Sequence, residues 1–201
     1  MKKSIKSLLA VALFGALGVA HADNYPSKVI TMVVPFAAGG PTDTVARLLA
    51  QSMSKDLGQQ IIVENLGGAG GTLGAAKVAK APADGYTVFL HHIGQSTAPA
   101  LYRKMAFNPL TDFEYVSQVV DVPMTLLGRK DLPAKNLQEL NAYVKANAKS
   151  INLANAGLGA VSHLCGMLFQ QALGVDLTTV PFSGTAPAMN ALLGGQVDLL
   201  C

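Results

Sequence analysis

The sequence predicts an α/β fold of two lobes, with mixed or parallel sheets flanked by helices and a second lobe that is incomplete. Strand, helix and strand alternate at βαβ spacing from Lys28 to Glu64, and the pattern returns from Ile151 to Val180. Glycine-containing loops stand just before the helices in both stretches. A composition break at Asp121-Val122-Pro123 separates them, placing a first lobe at 23–122 and a second at 123–201.

Residues 1–22 are set aside from the fold. Lys2, Lys3 and Lys6 precede an apolar run from Leu8 to Ala20, and Ala20-His21-Ala22 has the small-x-small form of a cleavage site. The run is shorter than the roughly 20 residues that span a bilayer. A signal peptide cut after Ala22 is expected, rather than a retained anchor, and with it an exported, periplasmic chain. Three of the 15 lysines and arginines leave with it, while all 12 acids remain, so the mature chain is formally neutral. No Lys/Arg stripe remains to bind nucleic acid.

The first strand is the β-branched run Lys28 to Val34, read as buried on both faces. The loop Pro35 to Pro41 follows, then a helix from Thr42 to Leu57 with Val45, Leu48, Leu49, Met53 and Leu57 as its apolar face and Gly58 at its end. Gln60 to Glu64 is the second strand, parallel to the first through a right-handed crossover. The glycine-rich run Asn65 to Gly74 reads as a flexible turn into a short helix from Ala75 to Lys80. It does not match a dinucleotide fingerprint, because Leu73 stands where the third glycine belongs. Tyr86 to His91 is the third strand. Glu114 to Val120 and Met124 to Arg129 are further strands, and Asn136 to Lys149 is a helix with Leu137, Leu140, Tyr143 and Val144 on one side. The second lobe then repeats the unit: strand Ile151–Ala154, a loop through Gly157 and Gly159, helix Ser162–Leu173 and strand Leu177–Val180. A third turn at Ser183-Gly184-Thr185 enters a helix over Ala188–Leu193, and Gln196 to Cys201 is a last strand.

The chemistry these loops offer is anion binding. The first amides of a helix lack internal partners and carry about half a positive charge between them, and glycines let an anion approach closely. Gly39 and Gly40 stand at the first such helix. On a strand, His91 and His92 face opposite ways and cannot chelate one metal; His91 reads as structural and His92 as a residue within reach of a ligand. Cys165 and Cys201 can pair in an exported chain, or both stay as buried free thiols.

Four motifs in order then resemble one family: Pro35-Phe36-Ala37-Ala38-Gly39-Gly40-Pro41-Thr42-Asp43, Ala83-Asp84-Gly85-Tyr86-Thr87, Ala156 to Leu164, and Leu192-Leu193-Gly194-Gly195-Gln196-Val197-Asp198. They are similar to the Bug family of substrate-binding receptors of tripartite tricarboxylate transporters, and the likeness covers essentially all of residues 23–201. The resemblance implies a type II periplasmic binding protein, not an enzyme. Its two lobes would close on a small carboxylate and deliver it to the permease subunits of the transporter. It needs no cofactor or metal, and a monomer is expected. By motif, Phe36, Gly39, Gly40, Thr42 and Asp43 form the first-lobe side, and Gly157, Gly159, Ser162 and His163 the second. Gly184 and Thr185 supply a third loop. A carboxylate at Asp43 would repel an anion, so its expected work is to accept backbone N–H bonds and shape the loop. Family members continue for roughly another hundred residues, so a C-terminally truncated chain is expected. The same comparison turns Cys165 and Cys201 toward the cleft end of one lobe; a disulfide requires Cα atoms within about 7 Å.

Two other readings stand beside the receptor. One is an exported hydrolase-like enzyme using the glycine loops as an oxyanion hole. Against it, there is no G-x-S-x-G, and Ser162 and His163, being adjacent, point about a hundred degrees apart on a helix. The other is a truncated remnant that binds nothing.

Overall fold

A computed structural model describes residues 24–201; the expected signal peptide lies outside the described residues. Strand β1 (Ile30–Val34) enters α1 (Pro41–Leu57), and β2 (Ile61–Asn65) returns parallel to β1, with Ile30 opposite Ile61 and Val34 opposite Asn65. A 3₁₀ turn at Ala69–Gly71 and helix α2 (Thr72–Val78) lead to β3 (Thr87–Phe89), which pairs parallel on the other side of β1. The first sheet is thus β2-β1-β3. Met32, Val33 and Val34 of its central strand are sealed from solvent, as a continuous β-branched run requires when helices cover both faces.

The second sheet has the order β4-β7-β5-β6. Its elements are β4 (Leu127–Gly128), helix α4 (Leu137–Asn147), β5 (Asn152–Asn155), α5 (Val161–Leu173), β6 (Thr178–Pro181), α6 (Thr185–Leu193) and β7 (Leu199–Leu200). β5 pairs parallel with β6 and β7, and β4 lies antiparallel on β7, so the sheet is mixed. Helix α3 (Gly94–Leu101) follows β3. The cores are not strictly separate. Ala156 and Ala160, from the loop after β5, are buried in the cluster built on Ile30, Met32, Val34 and Phe36.

Several expectations change. The strand expected over Glu114–Val120 is absent: residues 114–125 are all exposed and join no ladder among the described residues. Apolar alternation marks a strand only when a neighbour takes its hydrogen bonds. The strand expected over Met124–Arg129 shortens to Leu127–Gly128 for the same reason, because only those two residues face Leu199 and Leu200. The last strand likewise contracts to Leu199–Leu200, and the third ends at Phe89. Leu48 is 63% exposed, since it lies opposite the stripe of Ala46, Leu49, Ala50 and Met53 that packs on the sheet. Leu137 also faces solvent, leaving Leu140, Tyr143 and Val144 to hold α4 against Ile151 and Leu153. Helix α3 was not expected at all. Pro99 lies within it, a residue that usually argues against a helix interior.

Candidate functional site

The C-terminal ends of β1, β3, β5 and β6 open into loops that meet one another, and the first of these is held by Asp43. One Asp43 oxygen accepts from the Gly39 N–H at 2.9 Å and from Arg47 Nε at 3.0 Å; the other accepts from Asn65 Nδ2 at 2.9 Å. Asn65 also donates to the Phe36 carbonyl and receives Arg47 at 3.1 Å. Burial alone would raise the Asp43 carboxyl, but the hydrogen bonds from Arg47, Gly39 and Asn65 outweigh it and lower its pKa. The carboxylate is therefore engaged within the protein. Gly39 closes the turn at φ +84°, a conformation that a side chain would strain.

From the second sheet, the β6–α6 loop reaches this one. The Ala37 N–H donates to the Ser183 carbonyl at 3.0 Å. A methyl on Gly184 would lie 2.8 Å from the Ala37 nitrogen, and one on Gly40 3.5 Å from the Thr185 Cβ. Gly67 fills the same corner, where a methyl would lie 2.6 Å from the Ser183 oxygen. Phe36, Gly39, Gly40, Gly184 and Thr185 are in this way gathered at one place, and Thr42 follows in the first turn of α1.

A second contact joins the β5–α5 loop to the glycine run and α3. Thr97 Oγ1 donates to the Gly159 carbonyl at 3.0 Å, and the Tyr102 hydroxyl donates to the Leu158 carbonyl at 2.9 Å. Gly157 packs against Gly70, and any side chain on Gly70, at φ +60°, would collide with the Leu158 carbonyl. Inside the loop, Ser162 Oγ accepts from the Ala156 N–H at 2.8 Å and Asn155 Oδ1 from the Gly157 N–H at 2.8 Å. His163 Nδ1 accepts from the Gly159 N–H at 3.3 Å, which leaves Nε2 as the protonated, donating nitrogen. Burial lowers the His163 pKa, so the ring is neutral.

The two adjacent histidines differ from their expected placement. Because β3 stops at Phe89, the alternation of a strand no longer applies, and both rings turn to Phe36. His92 stacks on it at 4.5 Å between centroids, and His91 meets it edge-on at 5.5 Å. Burial lowers His92 to about 4, and burial, with His92 beside it, lowers His91 well below the ordinary 6.5. Neither offers a positive charge at neutral pH. Among the described residues no cluster of three His, Cys, Asp or Glu could hold a metal. Cys165, in α5, and Cys201 are joined by a disulfide with Cα atoms 6.0 Å apart.

Sequence reasoning missed Gly67, Gly70, Thr97, Tyr102 and Asn155 as residues of these contacts. The density of glycine from Gly67 to Gly71 was legible, but not the carbonyls that approach it from the other sheet. Chemically, the arrangement offers neutral donors. Helices α1, α5 and α6 each begin without a side-chain cap, so their first amides are open to a ligand, whereas α4 is capped by Asn136.

Known proteins match this geometry. Residues 45–201 match the family described as tripartite tricarboxylate transporter family receptor. A UPF0065 protein of Agrobacterium vitis is 58% identical over 179 residues, covering 89% of this chain and 52% of that one. BugT of Bordetella pertussis is 38% identical over 93% of this chain and 58% of its own length. Among solved structures, periplasmic binding protein BugD is 59% identical with a TM-score of 0.86, over 88% of this chain and 59% of that chain. MatC of Rhodopseudomonas palustris with bound malate is 49% identical, TM-score 0.83, over 88% and 60%. An R. palustris protein with adipate is 37% identical, TM-score 0.84, over 88% and 59%. The chain spans between half and two thirds of the length of these relatives. The fold is that of a periplasmic binding protein, and the chain belongs to the family of tripartite tricarboxylate transporter receptors.

Proposed function

We propose that the chain is an exported receptor that captures a small carboxylate and hands it to the membrane permease subunits of its transporter, as a monomer and without catalysing a reaction. The observation that carries this reading is the meeting of three helix starts, α1, α5 and α6, none capped by a side chain, where loops from both sheets touch. Each contributes free N–H groups and about half a positive charge, which suits an anion. The pocket needs no cation of its own, and Arg47 is held by Asp43 and Asn65.

In this reading Phe36, Gly39, Gly40 and Thr42 form the first jaw, and Gly157, Gly159 and His163 the second. Gly184 and Thr185 close the third side, and His92 lies at the rim beside Phe36. Asp43 and Ser162 hold the loops in shape through the bonds they accept from Gly39 and Ala156. Residues 1–22 direct export, and a hinge near Asp121-Val122-Pro123 lets the lobes part. The malate and adipate in two solved relatives support a dicarboxylate as the ligand class.

Thermal unfolding of the exported chain, residues 23–201, with a panel of carboxylates tests the reading. A ligand at about 100 times its dissociation constant adds about 2.7 kcal/mol to stability. A raised Tm with at least one member is expected. No shift with any of them would sink the receptor reading and leave a non-binding remnant.

A further inference from the structure

Gly159 stands at φ +81°, where a glycine is free and a side chain strained, yet the peptide units on both sides of it are held from outside the loop. The Leu158 carbonyl accepts from the Tyr102 hydroxyl at 2.9 Å, and the Gly159 carbonyl accepts from Thr97 Oγ1 at 3.0 Å. The two holders are not equivalent. Thr97 has a second acceptor in its own helix, the Gly94 carbonyl at 3.3 Å, whereas the Leu158 carbonyl is the one acceptor of the Tyr102 hydroxyl among the described residues. Tyr102 is the first residue after α3, in extended backbone. Its hydroxyl meets the carbonyl beside Gly70, where a methyl would collide with both oxygens.

A trans peptide unit directs its C=O and its N–H to opposite sides. The unit whose oxygen Tyr102 holds therefore sends its N–H, that of Gly159, the other way, and this N–H donates to His163 Nδ1 at 3.3 Å. Nε2 is left to carry the hydrogen of the neutral ring. We propose that Tyr102 is a positioning residue that acts through the Leu158–Gly159 peptide on His163, holding the ring in the orientation and tautomer that offer an Nε2–H donor to the bound carboxylate. Turning that peptide needs only ψ of Leu158 and φ of Gly159, and glycine gives the second wide freedom. With the hydroxyl in place the N–H stays on Nδ1; without it the unit turns and the ring is released. Each bond of the relay also polarises the next, so the hydroxyl strengthens the hold on Nδ1. The inference deepens the receptor reading, on which its carboxylate part rests; the link from Tyr102 to His163 needs no ligand.

Two measurements on the exported chain test it. The first is amide hydrogen exchange, read by NMR without ligand, in the wild type and in Tyr102→Phe, which removes one oxygen and keeps the ring. The Gly159 amide is expected to exchange severalfold faster in the variant, while that of Ala37, bonded to the Ser183 carbonyl at the other contact, stays within about twofold. Equal rises at both amides would mean that the two sheets have merely parted, and no rise at Gly159 that the peptide stands without Tyr102; either result overturns the proposal. The second is a double-mutant cycle, read by titration calorimetry with malate and adipate. Tyr102→Phe is expected to weaken the better-bound acid about fivefold when His163 is present and less than about twofold in a His163→Ala background, since a residue that acts through another loses its effect with it. A purely structural role would weaken binding by one factor in both backgrounds, and that outcome overturns the proposal. Circular dichroism checks that each variant is folded. If His163→Ala binds neither acid, the exchange rates decide alone. If the wild type binds neither, the result counts against the receptor reading, and the exchange rates still decide the link.

Discussion

Asp43 accepts three hydrogen bonds and so fixes the first loop. The loop-shaping bond from the Gly39 N–H was legible in the sequence as an acid at a helix start; the partners Arg47 and Asn65 were not. The histidines were less legible. Their adjacency gave opposite directions only for as long as the strand lasted, and nothing in Phe89-Leu90-His91-His92 states where the ladder ends. Their burial has a consequence for pH. His92 falls to about 4 and His91 well below the ordinary 6.5, so between about 4 and 6.5 the unfolded chain binds protons that the folded chain refuses. Stability is therefore full above about pH 6.5 and falls as the pH drops toward 4, by on the order of 1 kcal/mol per unit from His92. Asp43, whose folded pKa is lowered, keeps its contribution until the pH passes below the ordinary 3.8. Urea unfolding at pH 7.5, 6 and 5 is expected to show the decline, and replacing both histidines by glutamine should flatten it. A curve that is already flat in the wild type would refute the assignment.

Elements were legible where their own residues decide them. The βαβ unit from β1 to β2 follows from a β-branched run, an amphipathic helix and a glycine stop, and the structure has all three. Where a neighbour decides, the sequence was silent. The stretch from Glu114 to Val120 has the composition of a strand but no partner among the described residues. In α3, Pro99 sits in a short helix that follows tightly on β3, and a rule on proline is outweighed there. Helix α4 shows the local case at its clearest. Asn136 Oδ1 accepts from the Glu139 N–H at 2.9 Å, and the Glu139 carboxylate reaches back to the Lys135 N–H at 2.8 Å. Asn136→Ala should lower stability by about 1 kcal/mol with no effect on ligand affinity, as chemical denaturation and calorimetry would show. An unchanged midpoint would mean that packing by Val144 and Tyr143 alone sets the helix.

At the scale of the whole molecule, two sheets, one parallel and one mixed, present the C-terminal ends of β1 and β5 to each other, and the parallel strand order was expected from the repeated unit. The contacts across that meeting were not, since the Ala37–Ser183 bond joins two backbone atoms and Thr97 and Tyr102 donate to backbone carbonyls that no residue type advertises. The Cys165–Cys201 link ties α5 to the residue after β7, across a separation of 36 residues. Its loss should cost about 2–4 kcal/mol, so a reductant is expected to lower the Tm by several degrees and to add two hydrogens to the intact mass. Two free thiols in the exported protein, read by mass before reduction, would contradict the bond.

The bond from the Ala37 N–H to the Ser183 carbonyl has a consequence of its own. Its donor and its acceptor are main-chain atoms, so most of the surrounding side chains can change without removing either. Under the proposed receptor role, the side chains around the loops could be rewritten for one acid or another while this join between the two sheets stays the same. A proline at position 37 would delete its hydrogen, and a side chain on Gly67 or Gly184 would crowd the Ser183 oxygen or the Ala37 nitrogen. Under that role, selectivity and the join between the sheets would lie in different parts of the chain, and mutations could change the first without touching the second.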